Sequence, residues 1–379
     1  MPAEKINIEQ FLQLAKQYPV IDVRSPGEYN HAHIPGAHSL PLFTDEERKA
    51  VGIAYKQQSR EAAIKIGLDF FGPKMSEIVR GSESIAGSYK STEPGSGLTA
   101  PNARLILLYC WRGGMRSGAV SWLLDMYGFK VYTLTGGYKN FRNYVLDTFK
   151  LPFQFNILGG YTGSGKTELL KALKEKGETI IDLEDIAKHK GSAFGNIGMP
   201  PQPTQEMFEN MLSVQLRTLS LIPPLGFRSE TNGTNVVQGA WLEDESQRIG
   251  HVNIPNSLWM TMRQSPVYFL DIPFEERLKH ITEEYGCLDK QQVVDAIDRI
   301  KEKLGGLNAK TAIQLLEEGN TLESFRILLK YYDKYYLKSL HNRENINSLL
   351  QIIECKSVTP ENASQLILQP KQQSEKMQA

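Results

Sequence analysis

A single cysteine stands in YCWRGGMRSGA, residues 109–119, closing the apolar run RLILLYC and preceding a loop of glycines and arginines. The thiolate is the reactive form of such a group. It is stabilised at the end of a strand that faces loop amides and the first turn of a helix. Arg112 and Arg116 add positive charge and can hold an anionic donor, while Gly113 and Gly114 let the backbone close around it. Cys110 is therefore the candidate nucleophile. Cys287 and Cys355 lack such surroundings and read as inert packing residues.

A second glycine-rich loop, GGYTGSGKT, follows further along the chain. Gly160, Gly165, Lys166 and Thr167 satisfy G-x-x-x-x-G-K-[ST] between the strand pattern FQFNILGG and the helical pattern KTELLKALKEKG. Gly160, Gly163, Ser164 and Gly165 let backbone N–H groups converge on phosphate oxygens. Lys166 supplies a point charge, and Thr167 a magnesium ligand if a metal–nucleotide is bound. The same cradle suits ATP or any other phosphorylated or pyrophosphorylated ligand. The acidic run Leu242-Glu243-Asp244-Glu245 reads equally as a metal-facing carboxylate group or as a solvated strand end.

These loops need rigid elements on either side. At 379 residues the chain has room for two cores. In the first part IEQFLQLAKQ, PVIDVR, AHSLPL, a long helical stretch from Thr44 to about Gly87, LILLYC, SGAVSWLLDMYG, KVYTLTG and YKNFRNYVLDTF alternate strands with helices. That alternation predicts a doubly wound parallel sheet. GSYKSTEPGSGLTAPN reads as a surface loop within it. A second α/β unit, with TIIDL, TNVVQGAWLED and SPVYFLDI as strands, opens near residue 151 and turns helical from about Asp289, ahead of a frayed polar tail. The expected domains are thus 1–150 and 151–379.

Lys+Arg and Asp+Glu both total 43, so any nucleic-acid surface must be a local patch. Three scattered cysteines form neither a disulfide framework nor a zinc site, no metal site is expected, and a reduced compartment fits. There is no long apolar run, and the start lacks a secretory pattern, so a cytoplasmic protein with no membrane partner is expected.

Residues 1–150 resemble the rhodanese family in IDVRSPGEY, HAHIPGAHSLP, the cysteine loop and VYTLTGGYKNF. In that fold Asp22 and Arg24 serve structure. The C-x5-R spacing, Trp111 to Met115 inside it, is shared with related phosphatases and implies a roomier cradle than the four-residue spacing of many sulfurtransferases. The run PVYFLDIPFEERLKHI resembles small P-loop kinases. Across nearly the whole chain, TDEERKAVGIAYKQQSREAAIKIG, YCWRGGMRSGA, GGYTGSGKT, DLEDIAKHKGSAFG and WLEDESQRIG are similar to the tRNA 2-selenouridine synthases.

The resemblance implies replacement of sulfur by selenium at the wobble 2-thiouridine of tRNA through an S-geranylated intermediate. Selenophosphate and geranyl diphosphate would be the co-substrates, with no tightly bound cofactor. It further implies Cys110 as carrier of an S-selanyl group, an upstream enzyme that produces selenophosphate, and a monomer. Lys56, Arg60, Lys65, Lys139, Arg142, Arg248, Lys301, Lys303 and Lys310 are candidate tRNA contacts, and Tyr55, Trp111, Tyr138 and Phe141 candidate stacking partners. Competing readings are a sulfurtransferase fused to an ATP-dependent kinase, a phosphatase, and a nucleotide-gated binding module.

Overall fold

The computed structural model describes residues 4–88, 104–219, 239–286 and 288–368. Most of the predicted loop after Gly87, the first residues of TNVVQGAWLED, Cys287 and the polar tail lie outside them. The chain forms two compact units, residues 1–148 with 209–214, and residues 149–208 with 215–379.

The first unit runs β1 (Glu4–Ile6), α1 (Ile8–Leu14), β2 (Val20–Asp22), α2 (Pro26–His31), β3 (His38–Ser39), α3 (Asp45–Gln57), α4 (Arg60–Ser88), β4 (Leu105–Tyr109), α5 (Met115–Tyr127), β5 (Lys130–Leu134) and α6 (Gly137–Thr148). Its five strands pair in parallel in the order β1-β5-β4-β2-β3, as the strand–helix alternation requires. β4 is central and every one of its residues is buried, so Cys110, one residue past it, starts at the C-terminal edge of the sheet. The edge strand β1 escaped the sequence reading because three residues carry no resolvable periodicity.

The expected long helix is two helices. Thr44 and Glu47 form a capping box that starts α3, and the side chain of Ser59 accepts from the amide of Ala62 to start α4. Pro73 lies inside α4. Phe43, Phe71, Ile78 and Ala86 from this region share a core with Ile106, Leu108 and Val120. The insert therefore packs onto the sheet beside the cysteine loop.

The second unit runs β6 (Phe155–Gly160), α7 (Lys166–Glu175), β7 (Ile180–Ile181), α8 (Leu183–Ala187), α9 (Gln205–Leu219, whose residues 209–214 group with the first unit), β8 (Ala240–Glu243), β9 (Arg248–Ile249), β10 (Val252–Asn253), α10 (Asn256–Arg263), β11 (Val267–Asp271), α11 (Phe274–Tyr285), α12 (Lys290–Leu304), α13 (Gly306–Glu317), α14 (Thr321–His341), α15 (Ile346–Leu349), β12 (Leu350–Glu354) and α16 (Asn362–Leu368). A parallel sheet of order β12-β11-β6-β8-β7 puts β6, the strand feeding the phosphate loop, in the middle. The region after Asp289 is helical as expected except for β12, which adds an edge to β11. Among the described residues no helix is long and apolar enough to cross a membrane.

Candidate active site

Strand β4 delivers Cys110, and the first turns of α6 and α5 close the loop that follows. The amide of Tyr138 donates to the carbonyl of Cys110 at 2.9 Å, and that of Lys139 to the carbonyl of Trp111 at 3.0 Å. Both carbonyls are thereby turned away from the cradle. Among the described residues no backbone acceptor takes the amides of Arg112 through Arg116; that of Gly114 turns to the Cys110 sulfur, and the others remain for a bound anion. The loop approaches the sheet too closely for a side chain at Gly113. Its φ is +63°, and a Cβ there would lie 2.6 Å from the carbonyl oxygen of Leu134.

Cys110 is 3% exposed, and it lines a cavity of about 760 Å³. Its Sγ lies 3.2 Å from Oγ of Ser117. Burial opposes ionisation, but the Ser117 hydroxyl, the amides of Ser117 and Gly114 and the charge of Arg116 together hold the thiol below its ordinary value. Arg116 is fixed in turn, with Nη1 donating to Oε2 of Glu28 at 2.7 Å. That contact keeps the Glu28 carboxyl ionised in spite of its burial, with the backbone of Ser25 and the charge of Arg48 assisting. Arg112 is exposed and lines the cavity. The structure therefore brings Cys110, Arg112, Gly114 and Arg116 to one cavity, with Gly113 in the loop behind them.

Asp22 and Arg24 lie under this site. Nη2 of Arg24 reaches Oδ2 of Asp22 at 2.6 Å and the carbonyl of Ala32 at 2.7 Å, with the guanidinium 3.8 Å from the ring centroid of Tyr138. Both members of the pair are essentially inaccessible, a structural role. Tyr138 and Phe141 are fully buried, which corrects their candidacy as base-stacking groups: they pack on each other, and Tyr138 lies against Arg24, on the inner face of α6. Trp111 and Tyr55 are exposed at the cavity. Arg142 is paired with Glu209 and Asn210, and Lys301 lies 3.7 Å from Asp298.

In the second unit the phosphate loop connects β6 to α7 as its spacing predicts. Gly163 has φ +80°, and a Cβ there would sit 2.9 Å from the carbonyl oxygen of Arg277. The hydroxyl of Ser164 donates to the carbonyl of Tyr161 at 2.6 Å, Nζ of Lys166 donates to that of Gly160 at 3.2 Å, and Gly165 caps α7. Gly160 through Thr167 thus form one strand-to-helix turn.

Several groups around this loop were beyond sequence reasoning. Arg277 is buried, pairs with Asp333 at 2.8 Å and donates to the carbonyl of Thr162 at 3.1 Å. Tyr336 accepts from the amide of Gly160 at 3.1 Å and donates to Oδ2 of Asp244 at 2.8 Å, which tethers the loop to α14. The acidic run is not a solvated strand end. Glu243 is fully buried and Asp244 is held by Tyr336 and Arg343. Oε2 of Glu243 accepts from the amide of Leu183 at 3.2 Å, and its Oε1 is buried without a partner.

The hydroxyl of Thr167 donates to Oε2 of Glu184 at 3.0 Å. Burial raises the Glu184 carboxyl, with Lys166 and Thr167 opposing. Burial and then Glu184 push Glu245 up to about 8, and burial pushes Glu243 well above the usual range. Lys166 faces this protonatable group of carboxyls. DLEDIAKHKG carried Glu184 in the sequence, but only the fold shows that it reaches Thr167. Among the described residues no group of three or more His, Cys, Asp or Glu side chains could hold a metal ion.

Comparison with known proteins covers both units. Residues 153–352 match the model of the tRNA 2-selenouridine synthase AAA domain, and residues 7–144 that of the rhodanese-like domain. The chain is 32% identical to the tRNA 2-selenouridine synthase of Bdellovibrio bacteriovorus, over 90% of this chain and 94% of that protein. It is 36% identical to that of Hydrogenovibrio crunogenus, over 85% and 89%, and 32% identical to that of Nitrosomonas europaea, over 86% and 90%. With its two α/β units, its cysteine cradle and its phosphate loop, the chain belongs to the tRNA 2-selenouridine synthase family.

Proposed function

We propose that this protein exchanges sulfur for selenium at the wobble 2-thiouridine of tRNA in the cytoplasm, using selenophosphate, after geranyl diphosphate has alkylated the sulfur. Family membership supports the overall reaction. The observation that carries the chemistry is a thiol held below its ordinary value by Ser117, two amides and Arg116 at the floor of an anion cradle.

Electron balance selects the course. Selenophosphate already carries selenium at the selenide level, so making an S-selanyl cysteine from it removes two electrons that no co-substrate accepts. In the neutral course the thiocarbonyl sulfur attacks C1 of geranyl diphosphate. A C–S bond forms, the C–O bond to diphosphate breaks and N3 of the base loses its proton. The amides of the phosphate loop, Lys166 and the N-terminus of α7 stabilise the departing diphosphate. Thr167 and Glu184 are the oxygen ligands that would hold a magnesium ion there, adding charge neutralisation.

Selenium then attacks C2, the C2–S bond breaks, and geranylthiolate leaves and takes a proton. The phosphoryl group remaining on selenium is passed to Cys110. A P–S bond forms as the P–Se bond breaks, N3 regains a proton, and water hydrolyses the phosphocysteine to phosphate. Arg112, Arg116 and the loop amides hold the phosphoryl oxygens, the use to which the C-x5-R spacing is suited.

The test incubates the protein with 2-thiouridine-containing tRNA, geranyl diphosphate, selenophosphate and ATP, omitting each in turn, and analyses nucleosides by mass. Cys110→Ser is expected to leave geranylation intact and abolish selenouridine. Wild-type selenouridine yield in that variant overturns the cysteine's role. Product lost only when ATP is withheld overturns the assignment of diphosphate to the phosphate loop.

A further inference from the structure

The cavity at Cys110 is far larger than a cradle for one tetrahedral anion. Its volume of about 760 Å³ lies in the range of sites for small organic ligands, and its walls are apolar side chains of α3, α4 and α5. Several of these stand open to solvent: Tyr55 and Leu68 are each 57% exposed, Met115 54% and Ile53 44%. A contiguous exposed apolar surface beside a reactive group marks a ligand site.

Two glycines inside helices keep the space open, although helix interiors disfavour glycine. A Cβ on Gly52 of α3 would meet nothing within 4 Å, and one on Gly67 of α4 would touch only the ring of Phe43, at 3.4 Å. Among the described residues no Asp or Glu lines the cavity, whereas Arg48, Lys49, Lys56, Arg112 and Arg116 do. Arg48 and Arg116 are tied to Glu28; Lys49, Lys56 and Arg112 are exposed. An apolar interior with a cationic mouth suits an apolar chain carried on a polyanion.

We propose that this cavity holds the ten-carbon chain on the sulfur of the alkylated wobble base while selenium displaces that sulfur, an inference that rests on the reaction proposed above. The apolar walls draw the chain out of water. The bound chain then places C2 of the base, one bond away from the sulfur, beside the cysteine cradle, and the exposed Lys49 and Lys56 meet the phosphates of the anticodon loop. The departing thiol leaves from a pocket that already solvates its chain.

The test measures binding of anticodon stem–loop RNA to the full chain by fluorescence anisotropy. The wobble base is 2-thiouridine, its S-geranyl form or its S-dimethylallyl form. Each carbon taken out of water is worth about fourfold in affinity, so the geranyl RNA should bind tightest and the five-carbon form fall between. Gly52→Leu adds a branched side chain to the cavity wall at a position where a Cβ meets nothing within 4 Å, and Leu68→Glu places a charge on its exposed wall. Both should bring the geranyl preference close to one, while 2-thiouridine RNA binds within about twofold of wild type.

Three results overturn the proposal: no preference in the wild-type protein, a preference preserved in both variants, or equal weakening of all three RNAs, which would make the occupant RNA or a protein segment. Selenation of pre-geranylated tRNA separates this inference from the reading beneath it. A wild-type protein that forms no selenouridine sinks the proposed reaction. One that does, with Gly52→Leu and Leu68→Glu equally fast, sinks the cavity's role alone.

Discussion

Replacing Ser117 by alanine tests the electrostatics on which the cysteine chemistry stands. The hydroxyl lies 3.2 Å from the sulfur and also 3.2 Å from the carbonyl of Gly114, to which it donates. Its one proton cannot serve both. In the thiol form it rests on the carbonyl, and in the thiolate form it turns to the sulfur. A hydrogen bond to a charged group contributes about 1.5–3 kcal/mol. Giving up the carbonyl contact sets the net effect at the low end, about 1.5 kcal/mol in favour of the thiolate, so without the hydroxyl the thiol should rise. The amides of Gly114 and Ser117 and the charge of Arg116 remain, so the change is partial. The assay is the pH dependence of iodoacetamide alkylation, followed by mass spectrometry of the Cys110 peptide. Cys355 serves as internal reference, because burial and then Asp271 push its thiol up. Wild-type Cys110 should react at lower pH than Cys355, and Ser117→Ala should close part of the gap. An unchanged or lowered midpoint in the variant refutes the reasoning.

Asp22→Ala leaves the guanidinium of Arg24 buried without its carboxylate, and should cost about 3–5 kcal/mol in the unfolding of the first unit, measured by urea denaturation. The folded protein holds a proton on Glu245 up to about pH 8 that the unfolded chain releases in the ordinary carboxylate range. Stability should therefore fall as pH rises through that window, with Glu184 acting in the same direction, and Glu245→Gln should raise Tm more at pH 8 than at pH 5. Equal gains at the two pH values would contradict that assignment. Lys166→Ala should abolish calorimetric binding of diphosphate and leave the alkylation profile of Cys110 unmoved, since the lysine belongs to the other cradle. Retained binding would place the diphosphate elsewhere.

What could be read in the sequence, and what could not, divides along a physical line. An anion cradle is made of consecutive backbone amides, so its glycines, its charged side chain and its helix start are contiguous. Cys110 to Arg116 and Gly160 to Thr167 announced themselves for that reason. A cavity is made by side chains of separate helices, and nothing in TDEERKAVGIAYKQQSREAAIKIG separates α3 from α4 except the weak cap at Ser59. Glu184 and Glu245 likewise gather near Lys166, with Glu243 beside them, only because β6, β7 and β8 are neighbours in one sheet. Tyr138 and Phe141 show the converse, since helical spacing alone does not tell the inner face of α6 from its outer one.

The same line separates the two kinds of recognition this chemistry demands. Charge on a phosphoryl group is answered by local backbone, which a motif records. Ten apolar carbons would be answered by surface contributed from α3, α4 and α5 together, and each wall residue taken singly, such as Val51, Ile64 or Met115, is an ordinary apolar side chain. Gly52 is where the two meet. A glycine that fills no turn, carries no positive φ and would clash with nothing has no structural reason to stand in the middle of α3. Its absent side chain makes sense as room kept for a ligand, and that is why filling it is the most direct probe of what the cavity is for.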